Sequence, residues 1–203
     1  KTHLLTINAL SPAKNTSLNS GWGKVFKETG ATKRFDLLIA NPPWGADLSE
    51  YKKRLKVSEF KTLQGQVDSF ELFMELAMKI VVPGGYFAFI VPDAILNHGK
   101  SILRNLIVEQ TELKFIARLG EKLFPNINRA CIVIICKNSL PKKTNSVDCF
   151  RLNSINRRKI LKGELTFEAA ERESVHRIPQ ERFITNDFQR FDIDLKQTET
   201  ILV

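Results

Sequence analysis

Asn41-Pro42-Pro43-Trp44 is the stretch of this chain whose residue types could do chemistry together. It closes the apolar run Phe35-Asp36-Leu37-Leu38-Ile39-Ala40. Proline has no backbone N–H and fixes φ, and the residue before each proline is pushed into extended backbone. The run therefore ends in a stiff, kinked loop whose carbonyls face outward without amide partners. Beside them stand one side-chain amide, Asn41, and one flat aromatic face, Trp44. That set suits a planar molecule carrying an NH2 group, with two acceptors for its hydrogens and a ring to stack on. Asn-Pro-Pro is also an ordinary turn sequence, because Asn and Pro dominate turns. The elements around it favour the chemical reading.

Those elements form a recognisable unit. Residues 35–40 have the pattern of a strand, residues 69–81 that of a helix, and Tyr86-Phe87-Ala88-Phe89-Ile90-Val91-Pro92 that of a second strand behind Pro83-Gly84-Gly85. Strand, loop, helix, glycine turn and strand make a βαβ unit, and ligands of such sheets bind at the carboxyl ends of the strands. Asn41 to Trp44 occupy that end.

Phe35-Asp36 through Asn41-Pro42-Pro43-Trp44, followed by Phe73-Met74-Glu75-Leu76-Ala77-Met78-Lys79-Ile80-Val81-Val82-Pro83-Gly84-Gly85-Tyr86-Phe87, resembles the amino-methyltransferases that use S-adenosylmethionine. The likeness is greatest to the N6-adenine-specific DNA methyltransferases of restriction–modification systems. Leu119-Gly120-Glu121-Lys122-Leu123-Phe124-Pro125, ahead of the strand Ala130-Cys131-Ile132-Val133-Ile134-Ile135-Cys136, is similar to the family segment whose Phe packs against a flipped adenine. The resemblance runs from about residue 36 to about residue 137. The tetrapeptide with its Pro-Gly-Gly strand points to amino-methyltransferases in general, and the Phe-Pro element points to DNA adenine.

The resemblance implies an α/β, Rossmann-like S-adenosylmethionine-dependent methyltransferase fold. Its sheet is expected to be mostly parallel and to end in an antiparallel hairpin, residues 113–119 and 130–137. Asn41, Pro42 and Trp44 take the catalytic roles, Pro43 and Phe124 contact the substrate base, and Asn8, Asn41 and Phe73 contact the cofactor. Asn8 stands where the family usually has Asp, and Trp44 where it commonly has Tyr or Phe. Adenine N6 is a poor nucleophile because its lone pair is delocalised into the ring. Accepting its two hydrogens on the Asn41 side-chain oxygen and the Pro42 carbonyl localises that pair and aims it at the methyl sulfonium. Methyl transfer of this kind proceeds mainly through alignment and electrostatics. The base must first leave the duplex, to be held by Trp44 and Phe124.

Composition bounds the partners. A chain of 203 residues with 43% hydrophobic residues can bury a core. Its 31 Lys and Arg against 22 Asp and Glu give a net charge of +9, which favours polyanions through phosphate contacts; double-stranded DNA is the expected partner. Cys131, Cys136 and Cys149 include no Cys-x-x-Cys pair, so neither a disulfide framework nor a zinc site is indicated and a cytoplasmic location is expected. His3, His98 and His176 lack metal spacing, and the longest apolar runs are far below the roughly 20 residues that span a bilayer.

Organisation changes near residue 140. Residues 1–140 read as a partial catalytic domain, with a long basic connection (Lys52-Lys53-Arg54, Lys56) after the motif and a helix over 99–110. Residues 141–203 read as a linker, Lys142-Lys143-Thr144-Asn145-Ser146, then a strand over 147–152, a basic stretch with Arg157-Arg158-Lys159, and a helix over 165–174. In relatives a target-recognition region follows the catalytic domain, and this tail is its expected beginning. No glycine-rich strand-to-helix turn occurs before residue 40, so the cofactor site is expected to be incomplete and the chain alone inactive. The strand over 36–40 is then expected at a sheet edge, open to a second chain; a restriction or specificity module, in the same or a partner chain, is a further expected partner. Two other readings fit the tetrapeptide: an amino-methyltransferase of an RNA base or a protein glutamine, and a non-catalytic fragment of a larger complex.

Overall fold

The computed structural model describes residues 35–49, 60–64, 66–124 and 128–194. Strand β1 (Phe35–Ala40) is followed by helix α1 (Ser69–Ile80) and strand β2 (Val81–Pro92), which pairs with β1 in parallel. The expected βαβ unit is present. Helix α1 begins where the Asp68 amide donates to Glu71 Oε1 at 2.8 Å, satisfying a terminal donor. It ends at Val81, whose extended backbone runs directly into β2.

Strand β2 starts earlier than its composition suggests and carries Pro83-Gly84-Gly85 within it. The register against β1 slips there, between Phe35 and Leu37. Gly84 takes a positive φ of 83°, which a glycine adopts without penalty. At Gly85 a Cβ would lie 2.7 Å from the Asp36 carbonyl oxygen. Only glycine lets the two backbones come that close.

Helix α2 (Ser101–Gln110) follows two 3-10 turns and leads into β3 (Glu112–Gly120), which forms a hairpin with β4 (Cys131–Lys137). Strand β5 (Ser146–Arg151), helices α3 (Ser154–Leu161) and α4 (Phe167–Ser174), strand β6 (His176–Pro179) and helix α5 (Gln180–Thr185) complete the described elements. The six strands run in the order β1-β2-β4-β3-β5-β6. The expected α/β class, with a parallel start and an antiparallel hairpin, is the one observed. The hairpin lies inside the sheet, however: β4 inserts antiparallel between β2 and β3, and the free side of β3 takes β5 in parallel. Strands on both sides of residue 140 therefore belong to one sheet.

Side chains alternate across that sheet. From β4, Ile132, Ile134 and Cys136 face a core shared with Phe70, Met74 and Ala77 of α1 and Leu103 and Ile107 of α2. Cys131 and Val133 face the opposite side, with Leu119 of β3, Phe150 of β5 and Ala170 of α4. No described helix is long and apolar enough to cross a membrane.

Candidate functional site

Along one edge of the sheet lie the carboxyl ends of β1, β2, β3 and β5, because β4 alone runs the other way among them. A cleft of about 450 Å³ opens at this edge, lined by Asn41, Pro42, Pro43, Trp44, Phe124 and Arg129. The tetrapeptide and the hairpin loop are 80 residues apart in sequence, and the sheet topology brings them to one cavity. Asn41 and Pro43 are exposed and Pro42 is buried. Trp44 and Phe124, both half-buried, rest on the same apolar layer of Ala117, Leu119, Cys131 and Phe150. The Trp44 indole N–H is buried and has no hydrogen-bond partner among the described residues, so packing alone fixes that ring.

The loop is anchored by the start of α1. Ser69 Oγ donates to the Pro43 carbonyl at 2.5 Å, and the Gly45 amide donates to Asp68 Oδ1 at 2.9 Å. Gly45 makes the turn with φ at 67°, a conformation favoured by glycine. These contacts distinguish the two proline carbonyls. Pro43's is already engaged, whereas Pro42's carbonyl and the Asn41 side chain have no hydrogen-bond partner among the described residues. Two acceptors thus stand open in a cleft walled by aromatic rings, the arrangement needed to take both hydrogens of a planar amine.

Other candidates fall elsewhere. Phe73 sits half-buried on α1, packed between two apolar clusters, and does not line the cleft. Asn8 and most of the basic connection after the motif lie outside the described residues. Three contributors escape a reading of motifs. Asp68 and Ser69 look like ordinary helix-start residues, and Arg129 is a lone cation ahead of β4. The Arg129 guanidinium comes within 3.5 Å of the space a Cβ on Gly45 would fill and is the only charged group among the described residues that line the cleft. Lys122, two residues before Phe124, holds a positive φ of 58°. Such backbone is uncommon outside glycine.

The model of the Eco57I restriction-modification methylase family matches residues 5–124. The chain belongs to that family. Solved structures share its fold: a modification subunit of a putative type I restriction enzyme from Vibrio vulnificus YJ016 covers 87% of this chain at 16% identity with a TM-score of 0.55. The type I restriction-modification methyltransferase subunit from Streptococcus thermophilus covers 80% at 17% identity, also with a TM-score of 0.55. The ATP-dependent Type ISP enzyme LlaBIII, solved bound to DNA, covers 86% at 12% identity with a TM-score of 0.54. This chain spans 41%, 39% and 14% of those three chains, so each is longer than the part it shares.

Proposed function

We propose that the complete polypeptide including these residues transfers a methyl group from S-adenosylmethionine to adenine N6 in double-stranded DNA. One observation carries the reading. Asn41, Pro42, Trp44 and Phe124 line a single cleft, and the Asn41 side chain and the Pro42 carbonyl have no hydrogen-bond partner among the described residues. An exocyclic amine placed there gives both hydrogens to these acceptors. Its lone pair would then be localised on nitrogen for the transfer, and the proton that N6 loses on methylation would pass to solvent, with no strongly basic side chain required. The base enters the cleft flipped out of the duplex, and stacking on Trp44 and Phe124 contributes about 1–3 kcal/mol per aromatic contact. S-adenosylmethionine supplies the methyl group. Of the residues assigned to it from sequence, Asn41 is the one that lines the cleft. The family match and the shared fold support methyl transfer in a restriction–modification setting.

Radiolabelled methyl transfer offered in parallel to duplex DNA, transfer RNA and a protein carrying an exposed glutamine tests the substrate class. Label entering DNA is the expected result. Label entering only RNA or protein overturns the reading.

A further inference from the structure

A second cavity, of about 250 Å³, opens on the same sheet edge as the base cleft, and consecutive residues line the two: Arg129 the first, Ala130 the second. Three guanidiniums reach it, from Arg118 at the end of β3, Arg151 at the end of β5 and Arg157 on α3. Arg118 and Arg151 are direct cross-strand partners, and like charges opposite each other destabilise a sheet. Arg151 finds relief in a forked pair with Asp194, at 2.8 and 2.6 Å. The Arg118 side chain makes no hydrogen bond or ion pair among the described residues. Burial, and then Arg151 beside it, pull its pKa below the ordinary arginine value.

Arg157 is seated deliberately. Its guanidinium lies over Gly120, where a Cβ would come into direct clash with Nη1, and donates to the Leu119 carbonyl at 3.3 Å. That leaves most of its donors open. Asp93 is the one carboxylate among the described residues that line the cavity. With Arg151 met by Asp194, two guanidiniums face one carboxylate. The remaining single positive charge matches the single negative charge of a phosphodiester.

We propose that the Arg118–Arg157 cavity binds a backbone phosphate of the nucleic acid whose base occupies the neighbouring cleft, fixing the strand while the base is held. The inference rests on the proposed DNA substrate. The planar, forked guanidinium suits bidentate phosphate contact, and a partly buried cation beside a like charge gains from an anion. Phosphate contacts of this kind position the strand without reading its sequence.

Two measurements on the complete polypeptide test it. The first follows duplex DNA affinity against salt for the wild type, Arg118→Gln, Arg157→Gln and, as a control at the opposite edge, Lys143→Gln. Each arginine substitution is expected to lower the slope of log affinity against log salt by about 1 and to weaken binding about tenfold. Arg118→Lys should keep the slope, since the charge remains, while losing affinity with the fork. The second measures thermal stabilisation by inorganic phosphate against chloride at equal ionic strength, expected in the wild type and lost in the two glutamine variants. DNA binding with an unchanged slope in both glutamine variants overturns the phosphate site and leaves the DNA reading standing. Phosphate stabilisation in a wild-type protein that does not bind DNA overturns the assignment to a phosphodiester, and the substrate reading with it.

Discussion

The contribution of each motif residue follows from which hydrogen-bonding groups are already used. The Asn41 side chain and the Pro42 carbonyl have no partner among the described residues, while the Pro43 carbonyl is held by Ser69. In the proposed reaction Ser69 would act through position, by fixing the peptide that follows Pro42. Ser69→Ala removes the bond to the Pro43 carbonyl and the one that Oγ accepts from the Ala46 amide at 3.4 Å, each worth about 1 kcal/mol, and frees the loop to drift. We expect kcat for methyl transfer to fall about tenfold with KM for DNA little changed, because small misplacements of reacting groups are costly. Steady-state kinetics check this, and an unchanged kcat removes Ser69 from the positioning role. The tetrapeptide and Phe124 were legible in the sequence because their residue types are chemically unusual. Ser69, Asp68 and Arg129 were not, since each acquires its role only when folding brings it to a loop more than 20 residues away.

At the scale of elements, α1 and β2 hold the motif, and both can be perturbed in a directed way. Glu75 on α1 accepts from the Lys61 and Thr62 amides at 2.9 Å and from Lys79 Nζ at 3.0 Å. Burial raises its pKa, but these donors and the Lys79 charge outweigh burial and hold it below the ordinary carboxylate value. A depressed folded-state pKa adds stability that is present above the unfolded value and lost as pH falls through the folded one. Glu75→Gln should thus cost about 2 kcal/mol near neutrality, with the gap to wild type shrinking as pH drops through the carboxylate range. Denaturant midpoints across pH measure it, and a gap independent of pH contradicts the ionic origin.

Gly85 offers a steric counterpart. Gly85→Ala places a methyl against the Asp36 carbonyl oxygen, and we expect a loss of about 1–3 kcal/mol, read from the shift in thermal midpoint. The sequence marked Pro83-Gly84-Gly85 as a turn between helix and strand. It is instead the start of the strand, since glycine here answers the close approach of β1, a demand made by the pairing partner and invisible locally. The β3–β4 hairpin was legible from its two apolar runs. Its interior place was not, because strand order depends on which edge β5 finds.

At the scale of the molecule, strands from both halves of the chain share one sheet, and the middle of the chain is tied to its last described residues by Arg104. This fully buried side chain donates to the Ile95 and Asn97 carbonyls at 2.5 and 2.6 Å and to the Phe188 carbonyl at 2.9 Å. Burial, then Arg190, pulls its pKa down to about 10. It stays a cation at neutral pH, satisfied by carbonyl dipoles. Arg104→Met leaves those carbonyls without donors and should cost about 3 kcal/mol or more, seen as an early unfolding midpoint. The composition announced a basic protein; that one arginine would be a buried clamp was carried only by the contacts.

The central claim is that Asn41 and the Pro42 carbonyl polarise the N6 amine of a flipped adenine. Nucleoside mass spectrometry of duplex DNA incubated with S-adenosylmethionine and the complete polypeptide tests it most directly. The account predicts N6-methyladenine as the product, reduced on the order of 10²-fold or more by Asn41→Ala. Methyl groups found on another base atom, or N6-methyladenine formed equally well by Asn41→Ala, would contradict it.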